Sequence, residues 1–246
     1  HSCIVNIRSP GLIGPWNPKK KKGITEVEVP KQISMASFLD VLKYVYSGKV
    51  SLEGMKDADV LLLTAAAATF EGLDRLQWLC ENHIKSKLSL DIICPILIDC
   101  DRLKLQHLKD YCIQFIVDNY KQFIHNKEAA KQLGIELFQE TAAANQMKEA
   151  GQLKRVEEKP APPDTYIEDM KKLFTTSAGA DINIKLTAAN ALGVSGSIFK
   201  THKAILASRS PLLASYCSSV KEPKDPKEVP MANVKVGKQP FSLSKS

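Results

Sequence analysis

The stretch HKAILASRSP at residues 202–211 decides the architecture, because a degenerate copy of it, HSCIVNIRSP, opens the chain at residues 1–10. His, Ile, Arg, Ser and Pro stand at the same places in both copies. A second match follows in the same order, with VEVPKQ at residues 27–32 and VKVGKQ at residues 234–239. A repeat separated by about 200 residues is far longer than a solenoid unit, so it predicts two copies of a whole domain.

Composition and cysteine usage limit the class of protein. The chain has 246 residues, is 44% hydrophobic and 25% charged, and carries a formal charge of +7. Its lysines are scattered except at Lys19–Lys22, so we expect no nucleic-acid-binding stripe. Glycines and prolines around this run favour a solvated loop, and a nuclear-localisation or phosphate-binding patch is the alternative.

The six cysteines form no Cys-x-x-Cys pair, which is typical of free thiols in a reducing compartment and indicates no zinc site. The longest apolar run, residues 60–70, is about half a bilayer span. We therefore expect an intracellular protein of the cytoplasm or nucleus, with no membrane segment.

Apolar spacing predicts helices over much of the first half of the chain. Residues 37–46 carry an apolar stripe of 3.6-residue period, with Ser37 as a plausible N-cap and Gly48 as the stop. A helix over residues 57–70 is apolar nearly all round, which predicts burial at the centre of a helical cluster. Residues 73–86 form a third helix.

Two further amphipathic segments follow and predict a helical hairpin. They cover residues 92–103 and 105–116, with the turn near residues 102–105. Residues 126–151 are rich in Ala, Lys, Glu and Gln and are also expected to be helical. Pro160, Pro162 and Pro163 then mark a stretch typical of an interdomain linker.

The second copy begins with strand patterns. Residues 181–186 alternate in polarity and residues 198–200 return, which predicts a β-hairpin with a long loop. Residues 234–236 are expected to form a third strand, matching residues 27–29 of the first copy. The composite domain is thus an α+β arrangement, a small sheet wrapped by about five helices.

The chain carries no recognisable catalytic motif, whether a phosphate loop, a nucleophile elbow or a His-Glu-x-x-His pair. The repeated His1 and His202 are interpreted as structural residues at a strand-to-helix junction. Arg8-Ser9-Pro10 and Arg209-Ser210-Pro211 are interpreted as helix ends with Ser capping and Pro opening the next element. Phosphoserine sites before proline are the alternative.

A family resemblance rests on two strings. IFKTHKAILASRSP at residues 198–211 closely resembles the signature of BTB/POZ domains, and FLDVLKYVYSG at residues 38–48 resembles the later helix-and-glycine motif of that fold. The hairpin at residues 91–123 is similar to the start of the BACK extension that follows many such domains. The resemblance covers nearly all of residues 1–90 and 175–246.

The resemblance implies a tandem arrangement. Residues 1–90 are expected to be a first BTB/POZ domain lacking its N-terminal strands, and residues 91–150 a BACK-like helical extension. Residues 151–174 are the expected linker, and residues 175–246 the N-terminal part of a second BTB/POZ domain. The complementary ends of the two copies predict a fragment of a longer protein.

The resemblance also implies a non-catalytic protein-interaction module with no cofactor, metal, small-molecule substrate or membrane partner. BTB domains dimerise near the signature, so His1, Arg8, Ser9, His202, Arg209 and Ser210 are structural or dimer residues. Two copies in one chain leave intramolecular and intermolecular pairing open. The Gly14–Gly23 insertion is expected to alter the dimer or cullin surface of the first copy.

Many BTB proteins bind cullin-3 and act as substrate adaptors of a ubiquitin ligase, through an apolar-x-acidic element that Met55-Lys56-Asp57 matches. Met55 would enter an apolar pocket, and Asp57 would cap the next helix or meet a basic partner. Tyr44, Tyr46 and Phe70 are candidate neighbours or core residues. The alternatives are a scaffold or transcription-associated assembly factor without cullin, and an enzyme whose site lies in missing parts.

Overall fold

The computed structural model describes residues 2–12, 19–21, 24–26, 29–177, 179–186, 198–219 and 231–234. The chain divides into two compact units. The larger unit comprises residues 8–166, and the smaller unit combines residues 1–7 with residues 167–246. Each unit is described separately below.

The larger unit is mainly helical. It begins with Arg8, the last residue of the helix α1 (Ser2–Arg8), whose other residues belong to the smaller unit. The remaining elements are β1 (Lys19–Lys21), β2 (Ile24–Glu26), α2 (Met35–Ser47), α3 (Asp57–Thr69), α4 (Asp74–Lys87), α5 (Ile93–Arg102), α6 (Gln106–Asp118), α7 (Tyr120–His125), α8 (Lys127–Gln132) and α9 (Gly134–Glu149), with a 3-10 turn at Pro10–Leu12.

Both ends of α2 are capped, and its N-cap corrects the sequence prediction. Ser34 is the N-cap, and its hydroxyl accepts the backbone N–H of Ser37 at 3.1 Å. An N-cap side chain bonds the backbone N–H two or three residues further along the chain, and this contact makes Ser34 the N-cap. Ser37 lies buried in the first turn of the helix. Gly48 ends the helix as predicted, with φ +69° and its N–H bonded to the Tyr44 carbonyl at 2.8 Å.

The predicted all-apolar helix forms the centre of this unit as α3. Its small residues Ala66 and Ala67 are buried, which allows α4 to approach closely. The one buried hydroxyl in the helix, that of Thr64, donates to the Val60 carbonyl at 2.8 Å. The buried Thr64 hydroxyl therefore needs no hydrogen-bond partner from another element.

The predicted helical hairpin is confirmed as α5 and α6. The chain reverses at Lys104, whose φ is +59°, and the Leu105 N–H bonds the Cys100 carbonyl at 2.9 Å. Lys109 of α6 then joins the hairpin to α9, because its Nζ lies 2.9 Å from an Asp101 carboxylate oxygen and 2.7 Å from one of Glu140.

The proline-rich stretch is a strap that lies against the helices. Residues 152–165, here called the strap, have no regular secondary structure. The Val156 N–H donates to Gln114 Oε1 at 2.7 Å, and the Trp78 indole N–H donates to the Lys159 carbonyl at 3.0 Å. Arg75 donates to the Pro162 carbonyl. The helix α10 extends from Tyr166 to Thr176, so residues 166–174 of the predicted linker are helical.

The smaller unit contains a three-stranded sheet, formed by β3 (Ile182–Leu186), β4 (Ile198–Thr201) and β5 (Met231–Val234) in the order β4-β3-β5. The predicted hairpin is confirmed, with β3 and β4 antiparallel and Ile184 opposite Phe199. β5 is parallel to β3. The predicted third strand at 234–236 begins earlier, at Met231, and residues 235 and 236 lie outside the described part of the chain.

The first copy differs from its predicted strand and loop. Lys19–Lys21 is not a loop but a strand, antiparallel to Ile24–Glu26. The β-branched residues Ile24 and Thr25 favour an extended partner strand there. Lys22 and residues 27 and 28 of the predicted strand lie outside the described residues. The protein as described is mostly helical with two small sheets, which is consistent with a BTB-related fold.

Candidate protein-interaction site

The candidate cullin-binding element lies in the loop between α2 and α3. Met55 is half-buried, and its N–H bonds the Leu52 carbonyl at 3.3 Å, which closes a turn just before the helix. Lys56, not Asp57, is the N-cap, and it makes no side-chain capping bond. Asp57 is the first helical residue, where a carboxylate interacts favourably with the helix dipole. The Lys87 ammonium lies 3.9 Å from this carboxylate.

Tyr46 also belongs to this end of the helical unit. It lies in the last turn of α2, is half-buried, and its carbonyl accepts the Tyr166 hydroxyl at 3.0 Å. Tyr44 is almost fully buried, with the Arg8 guanidinium 5.7 Å from its ring centre. Burial raises the pKa of the Tyr44 hydroxyl, and the Arg8 charge offsets part of that effect. Tyr44 therefore has the core role left open by the sequence.

Phe70 does not share a surface with Met55 and Asp57. It follows the opposite end of α3, about 20 Å from Asp57 for 13 residues at 1.5 Å each. Its side chain is 4% exposed and packs against Phe38, with ring centres 6.2 Å apart. This burial agrees with the alternative role of Phe70 as a core residue.

A cavity of about 340 Å³ lies beside the loop. One wall is the loop itself, from Gly48 to Glu53, and the floor is one face of α4. That face carries Arg75, Leu79 and His83, which are spaced four residues apart and so lie above one another on the helix. Sequence reasoning missed these three residues, although the four-residue spacing was a readable signal.

Arg8 and Ser9, the described signature residues of the first copy, are buried. Arg8 is 6% exposed, and its guanidinium lies 5.2 Å from the Tyr166 ring centre and donates to the Thr165 hydroxyl at 3.2 Å. Ser9 is fully buried, and its hydroxyl donates to the Glu71 carbonyl at 2.8 Å instead of capping the Pro10–Leu12 turn. A kinase could reach this hydroxyl only after local unfolding. His1 lies outside the described residues.

The second copy places its signature differently. His202 is buried between β4 and the helix α11 (Lys203–Arg209), in agreement with the predicted junction role. Asp181, rather than a signature residue, caps α11 by accepting the Lys203 N–H at 2.7 Å. Arg209 is exposed and Ser210 half-buried. Pro211 opens α12 (Pro211–Ser219), the last helix in the described part of the chain, as predicted.

The cysteines do not form a reactive or metal-binding site in the described part of the chain. All six are free, and Cys80, Cys94, Cys100 and Cys112 are buried. Burial raises the pKa of Cys80 to about 12, so its thiol stays protonated at neutral pH. A hydrogen bond with Cys112, together with burial, also raises the pKa of Cys100. Within the described ranges, no three His, Cys, Asp or Glu side chains are grouped for metal binding.

The helices α1 to α12, as far as they are described, include none with the length and apolar character needed to cross a bilayer. No family model matches the chain. Its distant relatives among curated proteins are nevertheless BTB/POZ-domain proteins.

Three relatives illustrate this similarity. The chain is 29% identical to leucine-zipper-like transcriptional regulator 1 of Homo sapiens over 217 residues, which is 82% of this chain and 23% of that protein. It is 28% identical to BTB/POZ and MATH domain-containing protein 3 of Arabidopsis thaliana over 168 residues, 62% of this chain and 41% of the relative. BTB/POZ domain-containing protein 9 of Drosophila melanogaster is 27% identical to the chain over 95 residues, which is 39% of this chain and 13% of that protein. The chain therefore spans less than half of each relative.

Proposed function

We propose that this chain is a non-catalytic protein-interaction module built from two BTB/POZ units. The first unit covers residues 1–90 and continues into a BACK-like extension at 91–150, and the second, partial unit covers residues 175–246, after the linker at 151–174. The duplicated decamer and the BTB/POZ character of the distant relatives support this proposal. The helix–strand order around His202 fits the same interpretation.

The favoured specific role is that of a cullin-3 substrate adaptor in a ubiquitin ligase. The observation that carries it is the position of Met55-Lys56-Asp57, a short element that ends a loop and starts a helix. Half-burial of Met55 holds its flexible thioether at the edge of the unit, where it suits an apolar pocket of a partner. Asp57 adds a negative charge beside it that a basic residue of the partner can meet.

A binding measurement tests this role. Calorimetry with the cullin-3 N-terminal domain should show binding by the wild-type chain and a loss of at least about tenfold in the Met55→Ala, Asp57→Ala double variant, the scale of a lost interface anchor. Met35→Ala, Asp40→Ala is the matched control, because Met35 is exposed on α2 and Asp40 pairs only with the neighbouring Lys43 among the described ion pairs. Undiminished binding by the first variant would remove the site, and no wild-type binding would favour the scaffold role.

A scaffold that acts by self-association is the second candidate, and α10 is the observation that favours it. Ile167 is 65% exposed and Phe174 is 80% exposed, and the two lie seven residues apart on one face of this helix. They lie two turns, about 10.5 Å, apart along the helix axis, so a partner surface could contact both, as in apolar patches that mark interaction sites.

Light scattering over a dilution series tests self-association. A dimer that becomes monomeric in Ile167→Ser, Phe174→Ser would support this role. Ile135→Ser is the control, because Ile135 is equally exposed but lies on α9. A wild-type chain that is monomeric at every concentration would exclude intermolecular pairing and leave the intramolecular form.

A further inference from the structure

A row of hydrogen bonds links the core of the larger unit to the strap through a single histidine. Glu81 of α4 is buried, and its carboxylate accepts the Gln77 amide at 2.8 Å. The other carboxylate oxygen lies 2.9 Å from His107 Nδ1. His107 Nε2, on the far side of the ring, lies 3.4 Å from the Glu157 carbonyl of the strap.

The two ring nitrogens face two acceptors, and this determines what protonation does. An ionised carboxylate only accepts, so the neutral ring must place its one hydrogen on Nδ1 to satisfy Glu81. Nε2 then presents a lone pair to the Glu157 carbonyl oxygen, which is also an acceptor. The imidazolium carries hydrogens on both nitrogens and can donate to both partners.

We propose that His107 is a proton-sensitive latch for the strap, which is held more tightly against α4 and α6 when the ring is protonated. Protonation converts a contact between two acceptors into a charge-assisted hydrogen bond to the Glu157 carbonyl. Docking of the strap and proton uptake by His107 therefore favour each other. The strap is released when His107 loses its proton.

The other charged groups near His107 do not remove this effect. Acidic side chains lie near His107 on four elements, while the basic side chains in the same cavity belong to the strap. The acidic groups are Glu81 on α4, Asp110 on α6, Glu140 on α9 and Glu157 on the strap, and the basic groups are Lys154, Arg155 and Lys159. Lys109 already holds Glu140 at 2.7 Å, so Glu81 is the principal partner.

The chain contains its own reporter of docking. The Trp78 indole N–H donates to the Lys159 carbonyl two residues beyond Glu157, so its NMR resonance reports whether the strap is in place. Trp16 is the other tryptophan, and Trp16→Phe leaves one indole signal. Trypsin cleavage after Arg155 gives an independent measure, since a docked backbone is a poor substrate.

The experiment compares the full chain at pH 6 and pH 8. A charge-assisted bond gained at one carbonyl should change the docked-to-released ratio by about tenfold or more, so cleavage after Arg155 should slow by about that factor in the protonated chain, which pH 6 favours over pH 8. The non-titrating His107→Gln variant corrects for the pH dependence of trypsin itself and should lack the extra slowing. His125→Gln, which removes an exposed histidine on α7, should behave as wild type.

Two outcomes would overturn the latch. The first is an equal pH 6 to pH 8 cleavage ratio in wild type and His107→Gln. The second needs no variant at His107 and therefore holds even if that variant folds poorly: in the Trp16→Phe chain, the Trp78 indole shift would titrate with a midpoint different from that of the His107 ring protons. A shared midpoint supports the latch.

Discussion

Replacing Gly48 by Ala tests how the end of α2 is built. A Cβ on Gly48 would lie 2.6 Å from Cγ and 2.8 Å from Cβ of Tyr166, far inside van der Waals contact. The residue also has φ +69°, which costs a side-chain-bearing residue about 1 to 2 kcal/mol. Overpacking adds about 1 to 3 kcal/mol, so we expect the free energy of unfolding to fall by about 2 to 5 kcal/mol.

Urea unfolding of four chains separates the two costs. The set is wild type, Gly48→Ala, Tyr166→Gly and the double variant, followed by circular dichroism. Glycine at position 166 removes the Tyr166 Cβ as well as the ring, and this Cβ would itself lie 2.8 Å from the added methyl group. Without the Tyr166 ring only the backbone cost remains, so Gly48→Ala should then cost about 1 to 2 kcal/mol. An equal cost of Gly48→Ala in both backgrounds would show that the Tyr166 side chain does not lie over Gly48. It would refute the described position of Tyr166, the residue that directly follows the strap. Gly54→Ala is the control, because Gly54 also has positive φ but has no neighbour within 4 Å of the added Cβ.

Three further predictions concern the helical unit. Ser34→Ala should lower the free energy of unfolding by about 1 kcal/mol in urea titrations, the usual loss of an N-cap, and an unchanged midpoint would exclude the Ser34 cap. Although burial lowers the pKa of Lys109, its bonds to Glu140 and Asp101 outweigh this and raise it. The stability that these bonds provide is therefore fully present below the ordinary lysine pKa and is lost as the pH rises through the raised pKa of Lys109. The difference in free energy of unfolding between wild type and Lys109→Met should therefore become smaller from pH 8 to pH 11.5. In Ellman's assay at pH 8, Cys80, Cys94, Cys100 and Cys112 should react only after denaturant is added, whereas rapid native reaction of all six thiols would contradict their burial.

The helices were readable from sequence because their stripes are local. Apolar spacing gave α2, the α5–α6 hairpin and the buried α3, and Gly48 marked a true helix end. The N-cap was misplaced by three residues because serines stand at both 34 and 37, and only the bonded geometry distinguishes them. The glycines and prolines around Lys19–Lys21 favour a loop, and pairing with Ile24–Glu26 overrides that preference.

The candidate site could be predicted only in part, because only some of its residues are close together in the sequence. Met55 and Asp57 are adjacent in sequence, so a short pattern could identify them. The face of α4 beneath the loop is contributed by tertiary packing, and no local pattern connects His83 with Glu53. Phe70 and Met55 both flank α3, but this helix of 13 residues separates them. The prolines predict an interdomain linker, but they do not reveal that residues 152–165 pack as the strap, because the partners of the strap are scattered over α4 and α6.

The strap is held mainly through its main chain, and this determines which changes it tolerates. Gln114, Trp78 and Arg75 bond backbone groups of residues 156, 159 and 162, so replacing the side chains at those positions leaves the bonding atoms in place. Deleting or inserting one residue between them would displace every later carbonyl by about 3.3 Å, beyond reach of its donor. The residues at positions 156, 159 and 162 can therefore vary more readily than the number of residues between them.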